Sequence, residues 1–439
     1  MLRGLGRKEV AIIRPPAALL TRAAAALAYA VVVVLLGWMA VVQPMGDIAL
    51  IYVVMFWTLA WRRPAVALML VFASAPFQND ISGGGPARFS IAEVNMTLTV
   101  PVMLVRRSLD RRPVALGPIA IPVFSYFAVC VYSSLANGHG GDVLVPLFQM
   151  FLYLVVAVVI FSSLVDREED LLLSLNGAVL VGVFLSLACL VMKSNYFLGL
   201  NKNGAGASLS CALLIGFELW LTANTPRRRG WLLAAVVVTA AGLIFTLSRG
   251  SWMGALAGVF VITALRRRFQ LLLRLLMILG PLAAICWQFM PSESKTYATN
   301  FDQNNWNIHQ RYASIHIAQH FFEQSPVYGV GIGLRKQYDA TNLFWFTLAE
   351  TGVLGLAAFV LLHLTFFRMV WSGRRLIRPH EMPFSLLAVG GALVLDQLVH
   401  GMVDHYWSRG AITMAWASAG MATRAWGDAR RRADRGRIT

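Results

Sequence analysis

Charge is what this chain of 439 residues has least of: Asp, Glu, Lys and Arg together make up 13% of it, about half the share found in soluble domains. With 58% hydrophobic residues and a mean hydropathy of +0.64, a soluble globule is excluded. Acidic residues are rarer than basic ones, 21 against 38, and only five of the basic residues are lysines. That balance gives a net charge of +17, but the arginines lie in short separate loops and form no continuous patch, so no nucleic-acid partner is implied. Cysteine is also scarce. Cys130, Cys189, Cys211 and Cys286 all fall in apolar runs, which excludes a disulfide framework or a zinc cluster. Strand-length alternation is missing too, so a membrane β-barrel is not expected.

What is present is a series of apolar runs of membrane-helix length, in which a helix satisfies every backbone group internally. They fall near 24–43, 46–61, 64–78, 91–105, 114–134, 143–165, 171–192, 204–223, 231–247, 250–265, 270–290, 341–368, 382–403 and 408–424. The expected fold is all-α: one polytopic membrane domain over residues 1–439, with about 12–14 transmembrane helices. The N-terminal run is longer than a secretory signal and lacks a small-residue cleavage site, so it reads as an uncleaved first span. Alternate loops are basic: WRRP at 61–64, RRSLDRR at 106–112, TPRRRG at 225–230, RRRF at 266–269, RMVWSGRRLIRPH at 368–380 and the tail from 424. Both termini are therefore expected on the cytoplasmic side. One loop on that side, DREED at 166–170, is acidic and runs against the pattern.

The opposite loops hold isolated cations: Arg88, Lys193, Lys202, Arg249, Lys295, Arg311, Arg335, Lys336 and Arg409. Cations that break a topology rule suggest recognition of an anion on the outer face. Arg249, in FTLSRGSWMG, stands out because its loop is too short to reach bulk water. The only long polar segment, 291–338, is on the same face and is expected to be a loop with an amphipathic helix. On that helix His309, His316 and His320 share a stripe and Arg311 lies on another. His316 and His320 have the spacing of two zinc ligands without a third, so a structural role is expected for them.

Three further groups carry potential chemistry. Asp396, His400 and Asp404 recur every four residues and would share one stripe of a helix, where they could relay protons, bind a metal or orient His400 as a base, though a polar network tying helices together is the reading preferred. Asn342 and Glu350 can face one way on a helix capped by Asp339 or Thr341, with Glu350 expected to pair with Arg249 or Arg311. The glycine-rich NKNGAGAS at 201–208 is preceded by no strand and reads as a helix-entry turn.

Taken together, NKNGAGASLSCALLIG, LSRGSWMGAL, HQRYASIHIAQHFFEQSPVYGVGIG and TNLFWFTLAETGVLGL resemble, in order, the motifs of the O-antigen ligase and polymerase superfamily of bacterial envelope glycosyltransferases. The resemblance covers about residues 195–425. It implies a GT-C-like membrane enzyme of the bacterial inner membrane, with no metal and no cofactor. Such an enzyme transfers a glycan, with inversion, from an undecaprenyl-diphosphate-linked donor to an acceptor glycan on the periplasmic face of the lipid bilayer. Carried over by position, Arg249 and Arg311 are the cations on the donor diphosphate. The family's histidine aligns with Thr341, and a threonine hydroxyl cannot accept a proton at neutral pH. The base is then sought among His309, Asp339, Glu350 and His400, and Lys202, Arg335, Asn342, His400, Asp404 and Arg409 are candidates for substrate contact. Trp306, Tyr312 and Trp345 are candidates for stacking on sugars. The tail HGMVDHYWSRGAITMAWASAGMA resembles exopolysaccharide-cluster members, which favours a polymerase working with a chain-length regulator or synthesis complex. The rival expectations are an O-antigen ligase acting on lipid A core, a transporter of lipid-linked oligosaccharide, and a non-catalytic partner.

Overall fold

The computed structural model describes residues 44–78, 89–138, 141–192, 196–289, 292, 295–296, 306–334, 342–407 and 410–435. They divide into two units, Met1–Thr58 and Leu59–Thr439. The first span expected from the sequence, 24–43, lies outside the described residues. The helices in chain order are α1 (Pro44–Arg62), α2 (Pro64–Ser74), α3 (Ile91–Leu109), α4 (Ala120–Ala136), α5 (Leu144–Ser163), α6 (Glu168–Met192), α7 (Lys202–Leu221), α8 (Pro226–Phe245), α9 (Arg249–Leu265), α10 (Phe269–Phe289), α11 (Trp306–Gln324), α12 (Leu343–Leu376), α13 (Met382–Gly401) and α14 (Ala411–Arg435). The protein is an all-α polytopic membrane protein. Among the described residues eight helices are long and apolar enough to cross a bilayer, and α2 and α9 are shorter apolar helices.

Helix starts follow from local chemistry. Ser90 opens α3 in a reciprocal box with Glu93, whose carboxylate accepts the Ser90 amide at 2.6 Å. Thr225 caps α8 ahead of Pro226, and Asn201 caps α7 by accepting the Gly204 amide at 2.7 Å. The NKNGAGAS turn is thus the helix entry expected from the sequence.

In the second unit α13 is buried along nearly its whole length and packs against α7, α9, α12 and α14. Glycines permit the close approaches that drive helix association in lipid. A Cβ on Gly254 would meet Asp396 Oδ1 at 2.3 Å, and one on Gly390 would meet the Ser418 carbonyl oxygen at 2.7 Å. By contrast α10 buries only Leu275 and Cys286. An apolar cavity of about 410 Å³, rimmed by Trp252 and Trp287, lies among α7, α8, α9 and α10.

The basic loops gather at one end of the bundle. The acidic DREED loop, against the pattern in sequence, is explained there: Asp166 meets Arg107 at 3.5 Å and Arg112 at 2.5 Å, and Arg424 reaches its carbonyl oxygen at 3.0 Å. At the same end Arg266 pairs with the fully buried Glu218, with Nε to Oε2 at 2.9 Å, and donates to the Pro379 carbonyl at 2.9 Å.

The run expected as one span near 341–368 is two helical pieces. Gly352 sits at φ 64°, ψ −165° inside α12, a conformation nearly closed to other residues. The segment PVYGVGIG at 326–333 docks into the break. Val330 N donates to the Ala349 carbonyl at 2.9 Å, Gly331 N to that of Glu350 at 3.0 Å, and Val353 N to that of Pro326 at 2.9 Å. Glycine is required on both sides: a Cβ on Gly329 would lie 2.3 Å from Glu350 C, and one on Gly352 would lie 2.4 Å from Val327 C. The first piece of α12 carries α11 through a small core of Ala318, Leu334, Phe346 and Ala349.

Candidate active site

At the end opposite the basic loops, α7 and α9 begin side by side, each with a cation as its first residue, Lys202 and Arg249. Each is entered through a left-handed turn, at Leu198 (φ 52°) and Gly199 (φ 76°) for α7 and at Leu247 (φ 56°) for α9. A leucine with positive φ costs roughly 1 kcal/mol or more, so the turn that sets Arg249 at the helix head is held by its surroundings. Those surroundings are polar: Ser248 N donates to Thr246 Oγ1 at 3.3 Å, and Ser248 Oγ donates to Asn203 Oδ1 at 3.3 Å. The second bond ties the two helix heads together. Arg249 and Lys202 are both half-buried.

From Ser248 a chain of polar side chains runs inward. Ser248 Oγ and Ser251 Oγ are 2.8 Å apart, Ser251 Oγ lies 3.5 Å from His400 Nε2, and His400 Nε2 lies 3.4 Å from Asp404 Oδ2. Gly250 makes room for it, since a Cβ there would come within 2.7 Å of His400 Cδ2. Asp404 also accepts the His405 amide at 2.8 Å. Burial pushes the Asp404 carboxyl up, but the hydrogen bond from His400, helped by His405, outweighs it and holds the group below its usual range. Asn342, at the head of α12, donates to the Met402 carbonyl at 3.1 Å and so joins the same turn.

The Asp396–His400–Asp404 ladder expected on one helix is divided. The helix α13 ends at Gly401, where the Met402 and Val403 amides turn back to the Val399 and His400 carbonyls, so Asp404 stands in the following turn. Asp396 belongs to a separate buried network, accepting from Ser210 Oγ at 2.5 Å and Gln397 Nε2 at 2.9 Å. Beneath the turn lies an aromatic floor in which His363 Nδ1 donates to the Phe359 carbonyl at 2.8 Å and Tyr406 donates to His363 Nε2 at 2.9 Å.

Glu350 serves the break in α12. Its Oε1 accepts the amides of Gly333 at 2.8 Å and Leu334 at 3.1 Å, fastening the PVYGVGIG segment to the broken helix. The cap of α12 is Asn342 itself, which accepts the Trp345 amide at 3.2 Å; Asp339 and Thr341 lie outside the described residues. On α11, His309, His316 and His320 are exposed and Arg311 is half-buried. His320 Nε2 is 3.1 Å from Gln324. Trp345 packs against the α11–α12 core, Tyr312 is exposed, and the Trp306 side chain lies outside the described residues. Arg335 and Arg409 also lie outside them, as do Arg88, Lys193 and Lys336.

The structure therefore brings Lys202, Arg249, His400, Asp404 and Asn342 to one neighbourhood, and places His309 and Arg311 on α11 and Glu350 inside α12, two residues before the break. Three members were missed in the sequence: Asn203, Ser248 and Ser251. Their signal was hydroxyls at 248 and 251 flanking the lone arginine, one helical turn apart.

Fold and site together define a class: a polytopic helical membrane protein with a cationic, hydrogen-bonded site at the bundle end opposite its basic loops. Residues 234–360 match the family model described as O-antigen ligase, so this stretch of the chain is similar to that family. The matched stretch runs from within α8 to within α12; it includes Arg249, Arg311 and Glu350, and stops short of Lys202 on one side and His400 on the other. No curated protein matches the chain.

Proposed function

We propose that this protein is a polysaccharide polymerase of the bacterial inner membrane, passing a glycan from an undecaprenyl-diphosphate carrier to an acceptor sugar on the periplasmic face. In this reading the basic loops and both termini face the cytoplasm and the site end faces the periplasm. The supporting observation is the pair of helix heads at Lys202 and Arg249. The N-terminus of a helix carries about half a positive charge, and a cation first on each of two adjoining helices adds to it, which favours an anion between or above them. A diphosphate supplies that anion.

The reaction follows from the charges. The acceptor hydroxyl attacks the anomeric carbon from the face opposite the leaving group, inverting it. The bond from that carbon to the phosphate oxygen breaks, and the lipid diphosphate departs with the electron pair. Arg249, with Arg311 from the overlying helix, stabilises the charge that grows on the leaving oxygen without a metal, an effect worth about 10²–10³ in rate per donor. Guanidinium forks match phosphate oxygens and stay charged throughout.

The test is to incubate the purified protein in nanodiscs with lipid-linked repeat units. Glycan chains longer than one repeat support the polymerase. Transfer only to lipid A core identifies a ligase instead, and movement of the substrate between leaflets without a new bond identifies a transporter. Thr341→His is expected to leave the rate within about threefold if the proton acceptor lies elsewhere, and to raise it sharply if position 341 is where one is missing.

A further inference from the structure

The direction of each hydrogen bond in the chain from Asn203 to Asp404 fixes the state of the histidine in it. Ser248 gives its one hydroxyl proton to Asn203 Oδ1, so the 2.8 Å contact with Ser251 must use the proton of Ser251. Ser251 then has only lone pairs left for His400, and Asp404 offers a carboxylate. Both of these acceptors face the same ring nitrogen, Nε2, at 3.5 and 3.4 Å. Nε2 therefore carries the proton. The other nitrogen, Nδ1, keeps its lone pair, and among the described residues it has no hydrogen-bond partner. The ring is 5% exposed, and its orientation is set from both sides, by Gly250 at its Cδ2 edge and by Asp404.

A carboxylate that holds one imidazole nitrogen protonated, and will stabilise the imidazolium, leaves the second nitrogen as a base. The two contacts are long for hydrogen bonds, as such contacts commonly are before substrate arrives. The dyad also stands where the reaction would need it: Ser251 is two residues from Arg249 on α9, and Met402, which receives the Asn342 side chain, is two residues from both His400 and Asp404.

We infer that His400 Nδ1 is the proton acceptor for the attacking hydroxyl, with Asp404 as its positioning residue. In balance, the hydroxyl oxygen forms the bond to the anomeric carbon as the carbon–phosphate-oxygen bond breaks. The electron pair leaves with the diphosphate, and the proton moves to Nδ1, giving an imidazolium paired with Asp404 that later loses it to water. The assignment rests on the glycan-transfer reading above.

It is tested on the full chain in nanodiscs by measuring, with the same lipid-linked repeat unit, both donor binding and transfer. His400→Ala is expected to lower transfer about 10²-fold or more while donor affinity stays within about threefold, and added imidazole restores part of the rate. Asp404→Asn, which preserves size and hydrogen bonding, is expected to lower transfer about tenfold or more with binding intact. Unchanged transfer in either variant overturns the proposal. So does a parallel loss of binding and transfer in both variants with no response to imidazole, since that marks a structural histidine. Absence of transfer by the wild-type chain overturns the glycan-transfer reading instead, and is distinguished by that control alone.

Discussion

At residue scale the site depends on a few atoms. Gly250 is the most exposed to a simple test. A methyl group there meets His400 Cδ2 and Val403 Cγ2, both at 2.7 Å, and these are side-chain atoms that can yield. Gly250→Ala is therefore expected to cost about 1–3 kcal/mol of stability and to turn the ring, lowering transfer more than donor binding; separate measurements of the two check it. Asp404 gives a pH prediction. Its folded carboxyl is held below its unfolded value, so its stabilisation is present above the unfolded value and is lost as pH falls through the folded one. Acid unfolding curves of wild type and Asp404→Asn should thus differ most near neutrality and converge at low pH. Arg249 stands out in the sequence because a lone cation in a loop too short to reach water has few explanations. Its partners do not, because serines beside it carry no signal until the fold brings His400 across from another helix.

At the scale of elements the broken helix α12 is the main lesson. Its sequence reads as one apolar run interrupted at Glu350 and Thr351, and hydrophobic periodicity says nothing of the backbone angle at one glycine. The break shows itself only once PVYGVGIG is seen lying against Gly352. Gly352→Ala should destabilise by more than about 3 kcal/mol, as it adds both a disallowed angle and a clash with the Val327 backbone, and thermal unfolding in detergent measures it. Glu350 distinguishes a fastening from a catalytic role. Gln keeps the oxygen that accepts the Gly333 and Leu334 amides, so Glu350→Gln should retain stability and most transfer, whereas Glu350→Ala should lose about 1–3 kcal/mol. The ladder at 396, 400 and 404 failed for a related reason: spacing of four predicts one face only while the helix continues, and α13 stops at Gly401.

At the scale of the whole molecule, fold class and the alternation of basic loops were legible because both follow from transfer energies along the chain. The acidic DREED loop could be reconciled only in three dimensions, where Arg107, Arg112 and Arg424 converge on Asp166. The two ends of the bundle then separate stability from chemistry. Glu218→Ala at the basic end strands the buried Arg266 and should cost about 3–5 kcal/mol, without changing transfer per folded molecule.

The paired helix heads at Lys202 and Arg249 are proposed to stabilise a departing lipid diphosphate. The most direct measurement is the release of lipid diphosphate alongside glycosidic bond formation by the purified chain in nanodiscs. One diphosphate is expected to be released per bond formed, with both falling together by about 10²-fold in Arg249→Ala. Donor that is bound or moved across the bilayer with no diphosphate released, or bond formation that Arg249→Ala leaves unchanged, would contradict it.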